Sequence, residues 1–417
     1  MKKFRLLGLL WCSLLVGGLG AAPTPASGAF PPGPDRNLFA ALLGKSEAEL
    51  DGKLAAAWQQ LFHGDDRTQR LYFPVGDDLA YLADVGSGDV RTEGMSYGLM
   101  LAVQTDHRAE FDRLWRWADK FMRHAAGPRR GYFAWHCRYN GTSLDPGSAS
   151  DGEEWIAMAL FIAAHRWGHT AGGINYEAEA QDLLREMLHK PRSDGVTPIF
   201  DPAEKQVVFA PNPDAADFTD PSYQLPAFYD CWAAWASDPA DRQFWAEAAA
   251  TSRRFFHAAA HPVTGLMPEY SGFDGRPDPR LGAGREDFRF DAWRTPANVG
   301  LDYAWWHADP WQVGQSNRLL RFLASHWPKL PNQFTLEGRP LSTDVSIGLI
   351  AMAAVAGQAA DPDLARPFVR RLWDAPVPAG RWRYYDGLLY FLGLLEAGGR
   401  FRTWDVPLAS SPAAAPR

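Results

Sequence analysis

The stretch 148-SASDGEEWIAMALFIAAHRWG-168 joins a group of acids to an apolar run of helical length. Ser150 and Asp151 are residue types that cap helices, and acids in a first turn complement the helix dipole. The run 154–167 is apolar enough for a buried helix, and Gly168 is suited to end it. We therefore predict a helix that Ser150 or Asp151 caps. A capping role suffices for Glu153 and Glu154 but explains less well Asp151, which lies between a small-residue loop and a glycine.

Similar helical patterns recur along the chain, and strand-like alternation is scarce, with 206–210 the best short candidate. Predicted helices cover 97–104, 111–122, 154–167, 225–235, 242–259, 295–306, 315–326, 345–356, 367–373 and 388–397, and at least two more precede residue 93. Long segments at 129–150, 201–222 and 269–290 separate some of these helices, and loops of this length are usually functional. We predict one all-α domain, a helical barrel with a cleft at one end. The internal period is weak, so repetition alone does not establish the barrel.

The two ends of the chain read as segments outside the folded domain. Residues 1–22 have a charged start, an apolar run over 6–19 and small residues at 20–22, the pattern of a secretory signal peptide. A membrane anchor is the alternative, but the run is short for a span. We predict a flexible leader at 23–34, a catalytic domain at 35–405 and a disordered tail at 406–417. The expected location is periplasmic or extracellular, without stable membrane anchoring.

Composition narrows the classes of partner. The formal net charge is −7 and becomes about −10 without the three positive charges of the signal, which argues against nucleic acid as a partner. Eighteen tryptophans are many, and a groove that stacks sugar rings would account for part of them. Cys137 and Cys231 remain after export, and two buried free thiols are favoured over a disulfide. We expect a monomer that needs no metal and no organic cofactor.

Two further acidic segments flank helix candidates. In 91-RTEGMSYG-98, Thr92 could cap a helix that begins at Glu93, and the small residues at 94, 96 and 98 would let other backbone or a ligand approach closely. In 290-FDAWR-294, Asp291 precedes a helix that starts near Thr295, and Arg294 could orient its charge. Each acid alone could be a first-turn charge or a surface pair. Together they fit inverting glycoside cleavage, in which one carboxylic acid protonates the leaving oxygen and one carboxylate activates water.

Several segments in the same order resemble glycoside hydrolase family 8 from about residue 34 to residue 404. The matching segments are 91–98, 131–135, 151–154, 220–223, 291–294 with 298–302, and 383–386. The resemblance is strongest to the xylan-active branch, and within it to exo-oligoxylanases that release xylose from the reducing end.

This resemblance implies an (α/α)6 barrel, an inverting mechanism and xylan or xylo-oligosaccharides as substrate. It makes Glu93 the general acid, Asp291 the general base and Asp151 the residue that binds and distorts the central sugar. The substrate-binding residues that it implies are Trp135, Tyr223, Arg294, Tyr385 and Tyr97. For Glu93 to donate a proton near neutral pH, burial or a nearby like charge must raise its pKa.

The sequence departs from the exo-acting relatives at one place. Their Leu-His-Pro loop closes the acceptor end of the cleft, and the matching stretch here is Asp344-Val345-Ser346, without the histidine. Exo and endo action therefore both stay open. The alternatives are an endo-β-1,4-glucanase acting on β-glucan and, more remotely, a sugar-binding protein without catalysis.

Overall fold

The computed structural model describes residues 31, 33–169 and 173–404. The predicted signal peptide, most of the leader and the predicted tail lie outside this part of the chain, so these boundaries remain predictions. No helix among the described residues has the length and apolarity that crossing a membrane requires. Its α-helices are α1 Leu38–Leu43, α2 Glu47–His63, α3 Thr92–Gln104, α4 Arg108–Phe121, α5 Ser150–Trp167, α6 Tyr176–His189, α7 Pro226–Trp235, α8 Pro239–Ala259, α9 Thr295–Trp305, α10 Trp311–Ala324, α11 Ile347–Ala356, α12 Pro362–Asp374 and α13 Arg383–Ala397.

Short antiparallel strands and 3-10 helices lie in the segments between these α-helices. The strands are β1 Tyr72–Val75, β2 Leu79–Leu82, β3 Val90–Arg91, β4 His136–Cys137, β5 Ser143–Asp145, β6 Phe200–Asp201 and β7 Gln206–Val207, paired as β1-β2, β3-β4-β5 and β6-β7. The 3-10 helices are Pro221–Tyr223, Phe290–Arg294 and Gly357–Ala359.

The long helices form two concentric rings. The inner ring is α3, α5, α7, α9, α11 and α13, and each of these helices packs against one outer helix: α4, α6, α8, α10, α12 and α2 respectively. Contacts join α3 to α5, α7 to α9, α9 to α11, α11 to α13, and α13 back to α3. Trp155 of α5 and Phe228 of α7, with ring centroids 5.0 Å apart, bridge the remaining step. The ring is closed, and the predicted (α/α)6 barrel is confirmed.

The two rings differ in the sequence that builds them. The inner helix α9 is buried along its whole length, and α11 is buried at every residue but its first. The outer helix α4 buries one face only, with Phe111, Leu114, Trp115, Trp117 and Ala118, and keeps its charged residues on the other. Helices that are apolar on all sides fit only between two layers, whereas amphipathic helices fit the surface. The alternation of these two kinds of helix is the weak repeat that the sequence carries.

The structure corrects several local predictions. The amphipathic α6 was not predicted, and the predicted strand at 206–210 is only the two-residue β7. Thr92 and Ser150 do not cap their helices, since each is the first helical residue, and Asp151, the second residue of α5, does not cap it either. The backbone N–H of Thr92 donates to the carbonyl oxygen of Trp135, 3.0 Å away, so the entrance of α3 is satisfied by a neighbouring loop. Cys137 and Cys231 are both buried and unpaired.

Connection lengths place the cleft. The segments that leave inner helices are short, at 105–107, 168–175, 236–238, 306–310 and 357–361. Most of those that enter inner helices are long, at 64–91, 122–149, 190–225, 260–294 and 325–346. Short connections make successive helices antiparallel, so the N-termini of all six inner helices lie at one end of the barrel. The long segments gather around that end.

Candidate active site

A single arginine lies among four carboxylates at this end. Arg294 is the last residue of the 3-10 turn before α9, and its side chain is 5% exposed. Its Nη1 lies 3.0 Å from Asp151 Oδ2 and 3.3 Å from Glu93 Oε2. Its Nη2 lies 3.3 Å from Asp291 Oδ1 and 3.9 Å from Asp220 Oδ2. We call these five residues the Arg294 cluster.

Neighbouring groups fix the guanidinium in place. Nη1 donates to the Tyr97 hydroxyl and Nη2 donates to Ser222 Oγ, each at 2.8 Å. The guanidinium carbon lies 5.4 Å from the centre of the Tyr223 ring. A planar fork held on both nitrogens and beside an aromatic ring has little freedom to turn. Arg294 therefore sets the positions of the acids around it.

One positive charge cannot balance four ionised carboxylates in a buried cluster. Burial raises the pKa of Glu93 to about 7; Arg294 lowers that pKa in part, and the negative charges of Asp151 and Asp291 raise it further. Burial also raises the pKa of Asp151 and lifts that of Asp220 well above its ordinary range. Asp291 is the most exposed of the four, with 26% of its side chain open. The cluster therefore pairs an acid that can keep its proton near neutral pH with a carboxylate open to solvent, the combination that acid–base catalysis needs.

Glycines bring other side chains close to Glu93 in the first turns of α3. A Cβ on Gly94 would lie 2.6 Å from the Tyr384 hydroxyl, and a Cβ on Gly98 would lie 2.6 Å from Leu82 Cδ1. These glycines do permit a close approach, but the groups that approach are side chains rather than the backbone or ligand that the sequence led us to expect. Side chains of the protein fill the space, so the glycines pack α3 against α13 and β2.

The two acids that follow Asp151 on α5 lie below the cluster. Glu153 and Glu154 are fully buried, and we call the pair the lower acids. Glu153 accepts a hydrogen bond from the backbone N–H of Phe133 at 3.0 Å, and burial raises its pKa to about 8. Burial raises the pKa of Glu154 well above its ordinary range. Both acids therefore lie in the interior of the barrel, and neither is a solvated charge in the first turn of α5.

Glu154 reaches the site through a tyrosine. The Tyr229 hydroxyl lies 2.6 Å from Glu154 Oε1 and 3.1 Å from the backbone oxygen of Tyr223. Because a hydroxyl carries one hydrogen, both contacts are hydrogen bonds only when Glu154 carries a proton and donates it to Tyr229. Tyr229 then donates to Tyr223, whose ring flanks Arg294.

The aromatic residues singled out by sequence fall into two groups. Trp135 and Tyr385 are partly exposed at the barrel end; Trp135 lies beside the entrance of α3, and the Tyr385 hydroxyl donates to the Phe290 backbone oxygen at 3.1 Å. Tyr97 is fully buried and Tyr223 is 6% exposed, and both lie against Arg294. The buried pair is placed to orient the arginine, and the exposed pair is placed to face a ligand.

Sequence reasoning assigned no role to Asp220 or Ser222, although both lie in a segment that it singled out. Asp220 is fully buried; its Oδ1 accepts from the backbone N–H of Ser222 at 2.7 Å. Its Oδ2 has no hydrogen-bond partner among the described residues and points at the guanidinium. The available signal was the cap pattern of Asp220-Pro221-Ser222 before a short 3-10 turn. That pattern predicts a cap but not a fourth acid in the site.

The stretch that matches the missing acceptor-end loop is open to solvent. Asp344 and Val345 are exposed, and the backbone oxygen of Asp344 accepts from the N–H of Asn332 at 2.9 Å. Ser346 is buried, caps α11 and hydrogen-bonds to Asp386 at the start of α13. The segment is thus anchored at its base while its outer residues leave this end uncovered.

Comparison with known proteins gives one consistent result. The family model described as "Glycosyl hydrolases family 8" matches residues 83–399. The reducing-end xylose-releasing exo-oligoxylanase Rex8A of Paenibacillus barcinonensis is 44% identical over 90% of this chain and 98% of its own length. A reducing end xylose-releasing exo-oligoxylanase of Halalkalibacterium halodurans is 41% identical over 90% of this chain and 96% of its own.

Solved structures agree with these relatives. Rex8A in complex with xylose superposes with a TM-score of 0.84 at 45% identity, covering 89% of this chain and 97% of that one. A xylobiose complex from Teredinibacter turnerae gives a TM-score of 0.85 at 43% identity, covering 88% of this chain and 97% of that one. More distant relatives include Endoglucanase 2 of Ruminiclostridium josui, 26% identical over 86% of this chain and 74% of its own length.

Proposed function

This chain belongs to family 8 of the glycosyl hydrolases, and we propose that it hydrolyses β-1,4 bonds of xylan and xylo-oligosaccharides with inversion. The relatives that are 41–44% identical are named for xylo-oligosaccharide cleavage, and two related structures hold xylose and xylobiose. The endoglucanase relative is much more distant, at 26% identity. Xylan is therefore the favoured substrate and β-glucan the alternative.

The arrangement around Arg294 carries the mechanism. Glu93 protonates the leaving oxygen, Asp291 takes a proton from the attacking water, and Asp151 holds the sugar at the point of cleavage. Glu93 and Asp291 each lie 3.3 Å from a different nitrogen of the same guanidinium. The arginine therefore holds the two carboxylates in one site, and inversion requires such a pair to admit a water molecule across the sugar. The proton that Glu93 gives up is the one that its raised pKa retains near neutral pH.

The remaining side chains bind and orient. Trp135 and Tyr385 would contact sugar rings, since both are partly exposed beside the cluster. Tyr97 and Tyr223 would act through Arg294, since neither presents an open ring face. These aromatic side chains and the Arg294 guanidinium lie around the same buried acids. The residues that bind the sugar and the residues that orient the acids therefore form one site.

The open acceptor end supports cleavage within chains. Asp344 and Val345 are solvent-exposed where the exo-acting relatives carry a closing histidine loop. We propose that the product of the first cut is a mixture of oligomers. A polymeric substrate requires an enzyme outside the cytoplasm, and the signal-like residues 1–22 support export. N-terminal sequencing of the exported protein should find the chain starting near residue 23.

One digestion experiment tests the proposal. Xylohexaose, polymeric xylan and carboxymethyl-cellulose are incubated separately, and the earliest products are separated while proton NMR follows the anomeric configuration. We expect xylan and xylohexaose to be cut, mixed oligomers to appear first and the new reducing ends to start as α-anomers. Xylose as the sole early product would establish exo action, β-anomers would contradict inversion, and faster cleavage of the cellulose derivative would favour the glucanase.

A further inference from the structure

A groove outside the acid cluster opens on the same end of the barrel. It has a volume of about 830 Å³ and lies between the first turns of α11 and α13 and the last turn of α12. We call it the rim groove. Its lining includes Trp327, Val345, Ile347, Arg370, Trp382 and Asp386. This volume is within the range of small-molecule and oligomer sites, roughly 300–1,000 Å³.

The rim groove borders the segment that stands in place of the closing loop, since Val345 lines it. Val345 belongs to the exposed segment in place of the closing loop, and its side chain is 44% exposed. Trp382 and Tyr385 lie three residues apart at the start of α13, so one turn of helix carries a groove residue and a cleft residue. The hydrogen bond between Ser346 and Asp386 ties the start of α11 to the start of α13 beneath this passage. The groove is thus close to the residues that would end the cleft on this side.

The chemistry of the groove suits a neutral polysaccharide. Trp382 is the most exposed aromatic side chain among the described residues, with 69% of its surface open. Ring faces of this kind bind the apolar faces of sugars. Arg370 and Asp374, both exposed, add hydrogen-bonding groups of opposite charge, so the groove favours hydroxyl groups over a polymer of one charge.

We propose that the rim groove is a second binding site for the xylan chain, in which Trp382 stacks on a sugar beyond the acceptor end of the cleft. This site rests on the proposed xylan hydrolysis and extends it: polymer gains contacts here that a short oligosaccharide cannot reach. The absence of the closing histidine and the presence of the groove are then two parts of one adaptation to long chains.

Two tryptophans at opposite ends of the barrel make a matched test. Trp382→Ala removes the groove platform, and Trp404→Ala removes another exposed tryptophan, 41% exposed, that lies over Arg166 near the C-terminal end of α5. In the Glu93→Gln background, retardation in gels that contain soluble xylan measures binding without cleavage, and gels with hydroxyethyl-cellulose serve as the polymer control. We expect Trp382→Ala to weaken xylan binding by roughly three- to tenfold, the size of one aromatic contact, and Trp404→Ala to match the parent.

Kinetics separate the groove from the catalytic site. In the active enzyme, we expect Trp382→Ala to lower the ratio of kcat/KM on polymeric xylan to kcat/KM on xylotriose by the same three- to tenfold. An equal loss on both substrates, or unchanged gel retardation, would overturn the rim site. If the parent enzyme cleaves neither substrate and its Glu93→Gln variant does not bind xylan, the proposed function itself fails, a result distinct from either of these.

Discussion

The N-terminal turns of α5 place similar acids in two different settings. Asp151 lies 3.0 Å from Arg294, whereas the lower acids Glu153 and Glu154 meet a backbone N–H and a tyrosine hydroxyl. In the Arg294 cluster a cation offsets part of the cost of burying charge. The lower acids have only hydrogen bonds, and burial raises the pKa of Glu153 to about 8. Buried carboxylates in this protein thus differ in their partners: Glu93 lies beside a cation and can exchange a proton with substrate, whereas the lower acids stay neutral and hold the fold.

The largest effect should come from removing the acid or the base of the Arg294 cluster. Glu93→Gln and Asp291→Asn each preserve shape but remove a proton donor or acceptor, and we expect kcat to fall by about 10²–10⁴-fold in each. Glu153→Gln, an equivalent change in the lower acids, should leave kcat within about threefold of the parent. Initial rates on xylohexaose, with circular dichroism to confirm folding, measure this contrast. Near-parental rates in Glu93→Gln would disprove the assignment of the acid.

Removal of the cation should affect stability as well as turnover. Arg294→Met leaves Glu93, Asp151, Asp220 and Asp291 without their shared counter-charge, and breaking a buried ion network costs about 3–5 kcal/mol. We expect urea unfolding to show a loss of that size and kcat to fall, by less than in Glu93→Gln. Arg294→Lys keeps the charge but loses the planar fork, so its stability should lie between that of the parent and that of Arg294→Met. An Arg294→Met protein as stable as the parent would show that the cluster is already neutral without the cation.

The rate should also depend on pH through Glu93. The protonated form is the active one, and the pKa of Glu93 is about 7, so kcat should be maintained below this value and fall as pH rises through it. The fall approaches tenfold per pH unit well above the pKa. A kcat profile between pH 5 and 9 measures the alkaline limb. Glu93→Asp and Arg294→Lys both change the surroundings of this proton, so each should shift the pH at which kcat falls. An alkaline limb at the same pH in both variants would mean that another group controls it.

The smallest effect concerns the pH dependence of stability. The folded state holds the Glu153 proton up to about pH 8, whereas the unfolded chain releases it near the ordinary value of 4.5. The stabilisation is full below the ordinary value and is lost as pH rises through 8, with a limiting slope of about 1.4 kcal/mol per pH unit. Glu153→Gln should remove this slope from unfolding free energies measured between pH 5 and 8. Glu396→Gln, at the other end of the barrel, should remove a second slope of the same size, since burial also raises the pKa of Glu396 to about 8.

Much of the barrel could be read from local pattern. Helices such as α5 and α9 were found because their apolar runs are long. The start of a helix is harder to predict where another segment satisfies its first backbone N–H. The entrance of α3 is an example: Thr92 has the chemistry of a cap, but the carbonyl of Trp135 takes its N–H. The miss of α6 has a different cause, since this amphipathic helix follows a segment of sequence that is rich in glycine. Local sequence cannot show a partner that arrives from a distant loop.

The site was predicted in part for the same reason. Glu93, Asp151 and Asp291 were identified from their order and their helix entrances, together with the family resemblance. Asp220 was not identified, because the sequence of a cap motif is the same whether the second carboxylate oxygen of the aspartate contacts solvent or a guanidinium. Nothing in the first turn of α5 distinguishes Asp151 from Glu153 by residue type alone.

Sequence by itself determined the helical class of this protein, the order of its acids and the loss of the closing histidine, because each of these is written in neighbouring residues. Only the tertiary structure decided that Arg294 meets Glu93, 201 residues away, that Asp220 joins them, and that Trp382 is exposed. The physical reason is that burial and charge compensation depend on distances between segments. Closing the ring of inner helices is what brings their N-termini, and the acids on them, to one place.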